Sequence, residues 1–243
     1  MEKEAEGVVR QLPQWPMWVA VVLATLAAVL IAAMFPLIST DTLCRYAPMA
    51  EAFAESNWEE AFHPRFCVGM PVLSGLVRRL TGLDGLASCA AVAALAWGLG
   101  AWPVFRIADA LFGRRAAYFA LALYIICPQP MIWTLKGLRE PFKMLGTLLM
   151  ADGLVRCRER GWGSFASAAA GITLLFTFKC DTVLLGGILA IAYAALDGFR
   201  ARTVALALVG VAAIQPMCYL VWNWTGYWLP APHYVKFWNM IFG

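Results

Sequence analysis

Apolar residues in this chain fall into long runs separated by short polar breaks, and the alternation repeats seven times. The runs cover about Trp15–Ile38, Leu86–Phe105, Ala116–Trp133, Pro141–Val155, Ser164–Phe178, Thr182–Leu196 and Thr203–Trp222. Each reads as a membrane-crossing helix. A hydrocarbon core of ~30 Å needs roughly 20 apolar residues in helical form. Helices are required because a backbone in lipid must pair its N–H and C=O groups within the segment. Runs four to six are short and would draw on their flanks. Pro103 predicts a kink near the end of the second run, and Cys127-Pro128-Gln129-Pro130 cannot continue a regular helix beyond the third. Pro141 stands at a favourable first-turn position for the fourth. Lys179 and Asp181 keep the fifth and sixth apart.

One stretch, residues 39–84, departs from this alternation. Its opening, Ser39-Thr40-Asp41-Thr42-Leu43-Cys44-Arg45-Tyr46, is polar. A pattern at helical spacing follows, with Tyr46, Met49, Ala50, Phe53, Ala54 and Trp58 on one stripe and Glu51, Glu55 and Glu59 opposite. A turn is expected at His63-Pro64-Arg65-Phe66. Met70 to Leu80 then gives a second amphipathic piece ending in Arg78-Arg79. Such helices lie in a membrane interface rather than crossing it.

Composition agrees with an all-α polytopic membrane protein: 62% of the 243 residues are hydrophobic, 14% are charged, and the mean hydropathy is +0.69. The net charge of +4 does not point to nucleic acid, because the basic residues flank the runs as topology signals do. Arg106, Arg114, Arg115, Arg156, Arg158, Arg160, Arg200 and Arg202 crowd three short connections. These are expected on the cytoplasmic side of a plasma (inner) membrane, together with the N-terminus. The expected division is a cytoplasmic segment 1–14, a seven-helix module 15–222 containing the outer loop 39–84, and an outer-face tail 223–243. No small-residue cleavage site follows the first run clearly, so a retained signal anchor is expected. There is no internal repeat of the kind inverted-repeat transporters show. The seven cysteines have no metal-type spacing; Cys44 and Cys67 share the outer loop, where an oxidising compartment would allow them to pair. Asn223-Trp224-Thr225 fits a glycosylation sequon.

Chemistry-bearing residues gather on the outer side. Asp41 leaves the first run; Lys136, Arg139 and Glu140 lie between runs three and four; Lys179 and Asp181 lie between five and six. A carboxylate is suited to taking a proton from a hydroxyl or amine nucleophile. Arg and Lys are suited to a phosphate, Arg through its fork of donors and Lys as a point charge. An apolar wall beside them would accept an isoprenoid chain. Each residue also has a plainer reading. Asp41 suits a helix cap, Arg139 and Lys179 suit snorkelling to headgroups, and Glu140 suits an ion pair with Lys136 or Lys143. His63 suits a structural turn, and Tyr46, Phe53 and Trp58 suit packing. Asp109 and Asp152 are expected to pair with Arg106 and Arg156.

The order of these features resembles the seven-span module of GT-C glycosyltransferases, in the branch of protein O-mannosyltransferases and lipid A aminoarabinose transferases. The features are one run, then Asp41 with Tyr46, Trp58 and His63-Pro64-Arg65-Phe66, then Phe112-Gly113-Arg114-Arg115, Pro128, Leu138-Arg139-Glu140, the basic stretch 156–161 and Lys179. The resemblance implies a sugar moved from a polyprenyl-phosphate donor to an acceptor at the outer membrane face. It implies Asp41 as catalytic base, Lys179 at the donor phosphate and Arg139–Glu140 as the pair opening run four. Tyr46, His63, Arg65 and Lys136 would complete the substrate-binding set. Some members use a divalent metal ion and others none; this chain offers no evident metal set. Two departures are visible: Thr42 stands where many relatives have a second acid, and the sequence stops at Gly243 where most relatives continue. A minimal module, a truncated product and a subunit needing a partner or C-terminal domain are all consistent with that end. The rival class is a non-catalytic polyprenyl-phosphate-binding or scaffold subunit. A transporter would need ionisable residues in mid-span, and these runs are nearly bare of them.

Overall fold

Apolar sequence punctuated by Gly, Pro and charge makes every regular element among the described residues a helix. The structure, a computed structural model, describes residues 15–34, 37–61, 69–157, 162–178, 183–198 and 200–210. The helices are α1 (Trp15–Met34), a π-helical turn (Thr42–Tyr46), α2 (Ala47–Ala54), α3 (Trp58–Ala61), α4 (Gly69–Thr81), α5 (Gly85–Phe112), α6 (Arg114–Ile126), α7 (Pro128–Leu135), α8 (Glu140–Val155), α9 (Trp162–Phe178), α10 (Val183–Asp197) and α11 (Ala201–Gly210). Residues 1–14, all of residues 211–243 with the sequon and Cys218, and His63, Arg65, Cys67, Lys179, Cys180 and Asp181 lie outside the described residues.

The central element is α5, which touches α1, α2, α4, α6, α7 and α8. Its 28 residues extend about 42 Å at ~1.5 Å per residue. Among the described residues it is the one single helix long and apolar enough to cross a membrane, with a mean hydropathy of 1.5 over its best window. A second crossing qualifies if α6 and α7 count as one span bent by 46°. That bend falls at Cys127, where the Pro128 and Pro130 pair was expected to stop regular helix. The remaining apolar helices are shorter, with 17 residues in α9 and 15 in α10. Pro103 sits buried inside α5.

Two expectations need correction. The connection expected over Arg106–Arg115 is helical up to Phe112 and reduces to Gly113 alone. Arg106 and Asp109 are good helix company once their charges are paired across to other helices, and Gly113 ends the helix at φ +84, a conformation that favours glycine. The amphipathic helix expected from Tyr46 to Phe62 is broken. Ser56, at φ 63, terminates α2 while the Asn57 amide bonds back to Ala52 O at 2.8 Å. Phe53 and Trp58 then meet edge to face at 5.3 Å. Met49 and Ala50 are buried as the stripe requires, but Trp58 is exposed. Glu51, expected on the outer face, turns toward α5 and accepts from the Gly85 amide at 3.2 Å.

The outside of the bundle is unusually apolar. Val22, Leu23, Leu26 and Leu30 on α1, Phe119 and Ile126 on α6, and Ile188 and Ile191 on α10 are each more than half exposed. Large apolar side chains exposed on three helices accord with association with a membrane.

Small residues let the inner helices approach closely. At Gly171 of α9, an added Cβ would lie 2.7 Å from both Gly146 O and Met150 N of α8. These are backbone neighbours that cannot swing aside. Gly171→Ala should therefore cost about 1–3 kcal/mol as an overpacked contact. Gly163→Ala, on the same helix with open space around it, should be neutral or gain up to ~1 kcal/mol from helix propensity. Thermal unfolding of the two detergent-solubilised variants checks this; equal melting temperatures would mean α8 and α9 do not meet through Gly171.

Candidate functional site

The turn between α7 and α8 is built by short-range bonds. Thr134, fully buried, donates to Pro130 O at 2.9 Å, the Gly137 amide donates to Thr134 O at 2.9 Å, and the Leu138 amide donates to Trp133 O at 3.1 Å. Gly137 adopts φ +60 and lies so close to α5 that a Cβ there would stand 2.9 Å from Cys89 Cβ. The turn is thus wedged against the central helix.

The polar segment after α1 is tied to this turn. Thr42, 2% exposed, donates its hydroxyl to Lys136 O and also approaches Gly137 O at 3.4 Å. The Leu37 amide donates to Leu135 O at 3.3 Å. Thr42 therefore acts as an anchor: a buried hydroxyl must find an acceptor, and the carbonyls of the turn supply it. Asp41, one residue earlier, is half exposed and pairs with Arg45 at 2.8 Å. It makes no side-chain cap hydrogen bond, so the capping role does not apply.

Lys136 and Arg139 extend from the same turn and are partly buried. Neither has a carboxylate partner among the described residues. Glu140 pairs with Lys143 at 3.8 Å, one of the two partners expected for it. Asp41, Lys136, Arg139 and Glu140 are therefore gathered around the junction of the π-helical turn with the α7–α8 turn. Tyr46 is placed differently from a substrate contact. At 2% exposure it joins a cluster with Phe142, Phe178, Met70 and Cys89, in which the Phe142 and Phe178 rings stack at 3.8 Å. Its burial gives it a packing role under the junction. Phe178 is the last described residue before Lys179.

The opposite end of the bundle holds three acids in ion pairs, one with a distant partner and two with an arginine five residues on. Asp152, fully buried, faces Arg106 of α5 at 3.2 Å and accepts from Ser167 of α9 at 2.6 Å. Asp109 pairs with Arg114 at 3.2 Å, not with Arg106. Asp197 is held by Arg202 and by Thr203 at 3.3 Å. Each acid lies near a helix C-terminus, where a carboxylate opposes the helix dipole, so a guanidinium at each is stabilising. Burial pushes the Cys157 thiol up, and the Asp197 carboxylate adds to this; a thiol so placed is inert rather than nucleophilic.

Sequence reasoning missed Thr42 as an anchor and Arg45 as the partner of Asp41. The i,i+4 spacing of Asp41 and Arg45 was a usable signal for the second; the first depends on a partner 94 residues away. Among the described residues no three His, Cys, Asp or Glu side chains lie close enough to hold a metal ion. Comparison with models of protein families, with curated proteins and with solved structures finds no match.

Proposed function

We propose that the chain is a seven-span membrane protein that moves a sugar from a polyprenyl-phosphate donor to an acceptor at the outer face of the plasma membrane. The observation that carries the reading is the anchoring of Thr42 on the Lys136–Gly137 turn. It ties the segment that carries the half-exposed Asp41 carboxylate to the turn from which Lys136 and Arg139 extend, two cations without carboxylate partners among the described residues. Partly buried cations of this kind favour an anion, and a phosphate matches both an Arg fork and a Lys point charge. The apolar exterior of α1, α6 and α10 supports a bilayer around the bundle, and the arginine-dense connections support the opposite end as cytoplasmic.

In this reading Asp41 takes the proton from the acceptor hydroxyl or amine as that atom attacks the anomeric carbon. The bond from that carbon to the phosphate oxygen breaks, and polyprenyl phosphate leaves with the electron pair. Lys136, Arg139 and Lys179 balance the charge that develops on it. The configuration at the anomeric carbon inverts. His63 and Arg65, from the outer loop, would reach the sugar or acceptor, and Glu140 would orient it. The second reading, a polyprenyl-phosphate-binding subunit without turnover, is favoured by one observation: Asp41 is engaged by Arg45 and not presented as a free base.

Kinetics of the chain in nanodiscs, with undecaprenyl-phosphate-linked sugar as donor, test the assignment of the cations. Lys136→Ala and Arg139→Ala should each raise the donor KM about 10- to 100-fold, the scale of a lost charge-assisted hydrogen bond, with Arg139→Lys intermediate. Unchanged KM in both alanine variants would remove the α7–α8 turn from the donor site.

A further inference from the structure

From the Gly113 corner, α6 turns back along α5 and leaves one face uncovered. That face carries Arg115, Phe119, Leu123 and Ile126, spaced four, four and three residues apart, which places them on one side of a helix. Arg115 is exposed, and the three apolar side chains are each about half exposed or more. The depth of this stripe follows from its register on α5. At about 42 Å, α5 matches a bilayer of ~40–45 Å counted with its headgroup regions. Tyr118 meets Phe105 of α5 edge to face at 5.1 Å, and Tyr124 donates to Trp97 O at 2.7 Å, close to the middle of α5. Ile126 therefore lies near the level of the α5 midpoint. From Arg115 to Ile126 the helix rises about 16 Å, against ~15 Å for half a hydrocarbon core. The stripe is one leaflet deep, and Arg115 stands where acyl chains give way to headgroups.

Charge at this corner is not balanced from within. Arg114 is taken by Asp109 at 3.2 Å and lies over the Phe105 ring, 5.3 Å from its centroid. Arg115 has no carboxylate partner among the described residues. Both arginines stand in the first turn of α6, which has no acid, so each opposes the helix dipole. Beside them Leu111 and Phe112 are more than half exposed. Trp162 marks the same end of the bundle: the Arg106–Asp152 pair holds the last turns of α5 and α8 together, and α9 begins at Trp162, about three-quarters exposed, as Trp is at a membrane–water interface. We infer that Arg115 and the apolar stripe below it bind one anionic phospholipid of the surrounding bilayer. The guanidinium takes the headgroup phosphate through two parallel bonds, and an acyl chain lies along Phe119, Leu123 and Ile126. The inference rests on the membrane part of the proposed reading and does not involve sugar transfer.

The test is native mass spectrometry of the full chain released from nanodiscs that hold equal amounts of phosphatidylglycerol and phosphatidylcholine, with the two lipids counted in the protein that retains one lipid. A basic side chain at headgroup level favours an anionic lipid by about fivefold. The ratio of phosphatidylglycerol to phosphatidylcholine should therefore fall about fivefold in Arg115→Gln and stay within about twofold of wild type in Arg115→Lys. Arg200→Gln removes an exposed cation from the α10–α11 connection and should leave the ratio unchanged. Glycerol phosphate, a headgroup without acyl chains, should not displace phosphatidylglycerol at equal concentration, because the stripe holds the chain as well as the phosphate. An unchanged ratio in Arg115→Gln, an equal fall in Arg200→Gln, or displacement by glycerol phosphate would overturn the inference while leaving the chain in the membrane. A wild-type chain that does not enter nanodiscs would overturn the inference and the membrane reading together.

Discussion

Asp152→Ala is expected to be the most destabilising single substitution at the arginine-rich end of the bundle. Asp152 is fully buried, and its two oxygens face groups from two other helices: Arg106 of α5 at 3.2 Å and Ser167 of α9 at 2.6 Å. Arg106 is four-fifths covered and stacked over Trp102, with its guanidinium carbon 4.3 Å from the ring centroid. It has no easy route to water. Removing one partner of a buried pair leaves the other charge uncompensated, at a cost of about 3–5 kcal/mol. For a chain of this size that corresponds to a fall in Tm on the order of 10 °C. Asp152→Asn keeps an acceptor for Ser167 and should still lose most of the stability, because the missing element is charge. Asp152→Leu combined with Arg106→Leu should recover much of it, since apolar replacement of a whole buried pair is often close to neutral. Melting of the purified variants in detergent decides the matter; a fall of less than about 2 °C for Asp152→Ala would mean Arg106 relaxes to solvent and the three helices are not joined through this acid.

Much of the helix content was legible in the sequence because apolar periodicity and helix breakers are local signals. Pro128 and Pro130 announced the break between α6 and α7, and Pro141 the start of α8. Asp84 before the second run acts as a side-chain cap, accepting from the Ala87 amide at 2.7 Å. What was not legible depends on contacts between distant segments. Arg106 looked like the first residue of a loop because a charge usually marks one; Asp152, 46 positions away, keeps it inside a helix. Glu51 looked like the polar face of a surface helix, yet the free amide of Gly85 at the start of α5 draws it inward, with Arg78 3.7 Å away. Within the candidate site the residue types were readable and their arrangement was not. Lys136, Arg139 and Asp41 advertise anion and proton chemistry from their side chains alone. That Thr42 would tie the Asp41 segment to the Lys136 turn, that Tyr46 would be buried beneath them, and that Arg45 would engage the carboxylate are consequences of tertiary packing. Thr42 itself illustrates the difference: its residue type says nothing of a partner 94 positions away, and in the structure its hydroxyl ties the two segments together.

Asp41→Asn carries the second large effect, on rate rather than stability. The side chain is half exposed at the surface of the π-helical turn, so the amide should leave the fold intact. An amide cannot accept the acceptor's proton, and loss of a positioned general base costs about 10²–10⁴ in rate. On the proposed reading donor binding should survive, because the phosphate would be held by Lys136 and Arg139 and not by Asp41. Loss of turnover with retained binding separates a catalytic base from a ligand for the donor, which would lose both together. The most direct measurement is therefore the release of undecaprenyl phosphate from an undecaprenyl-phosphate-linked sugar by the purified chain in nanodiscs, wild type beside Asp41→Asn, with donor binding followed in the same preparations. The expected result is turnover by the wild type that falls at least about 100-fold in Asp41→Asn while donor binding is kept. Equal turnover in both proteins would contradict the role of Asp41, and donor binding without release by the wild type would contradict the transferase itself and leave a phosphate-lipid-binding subunit in its place.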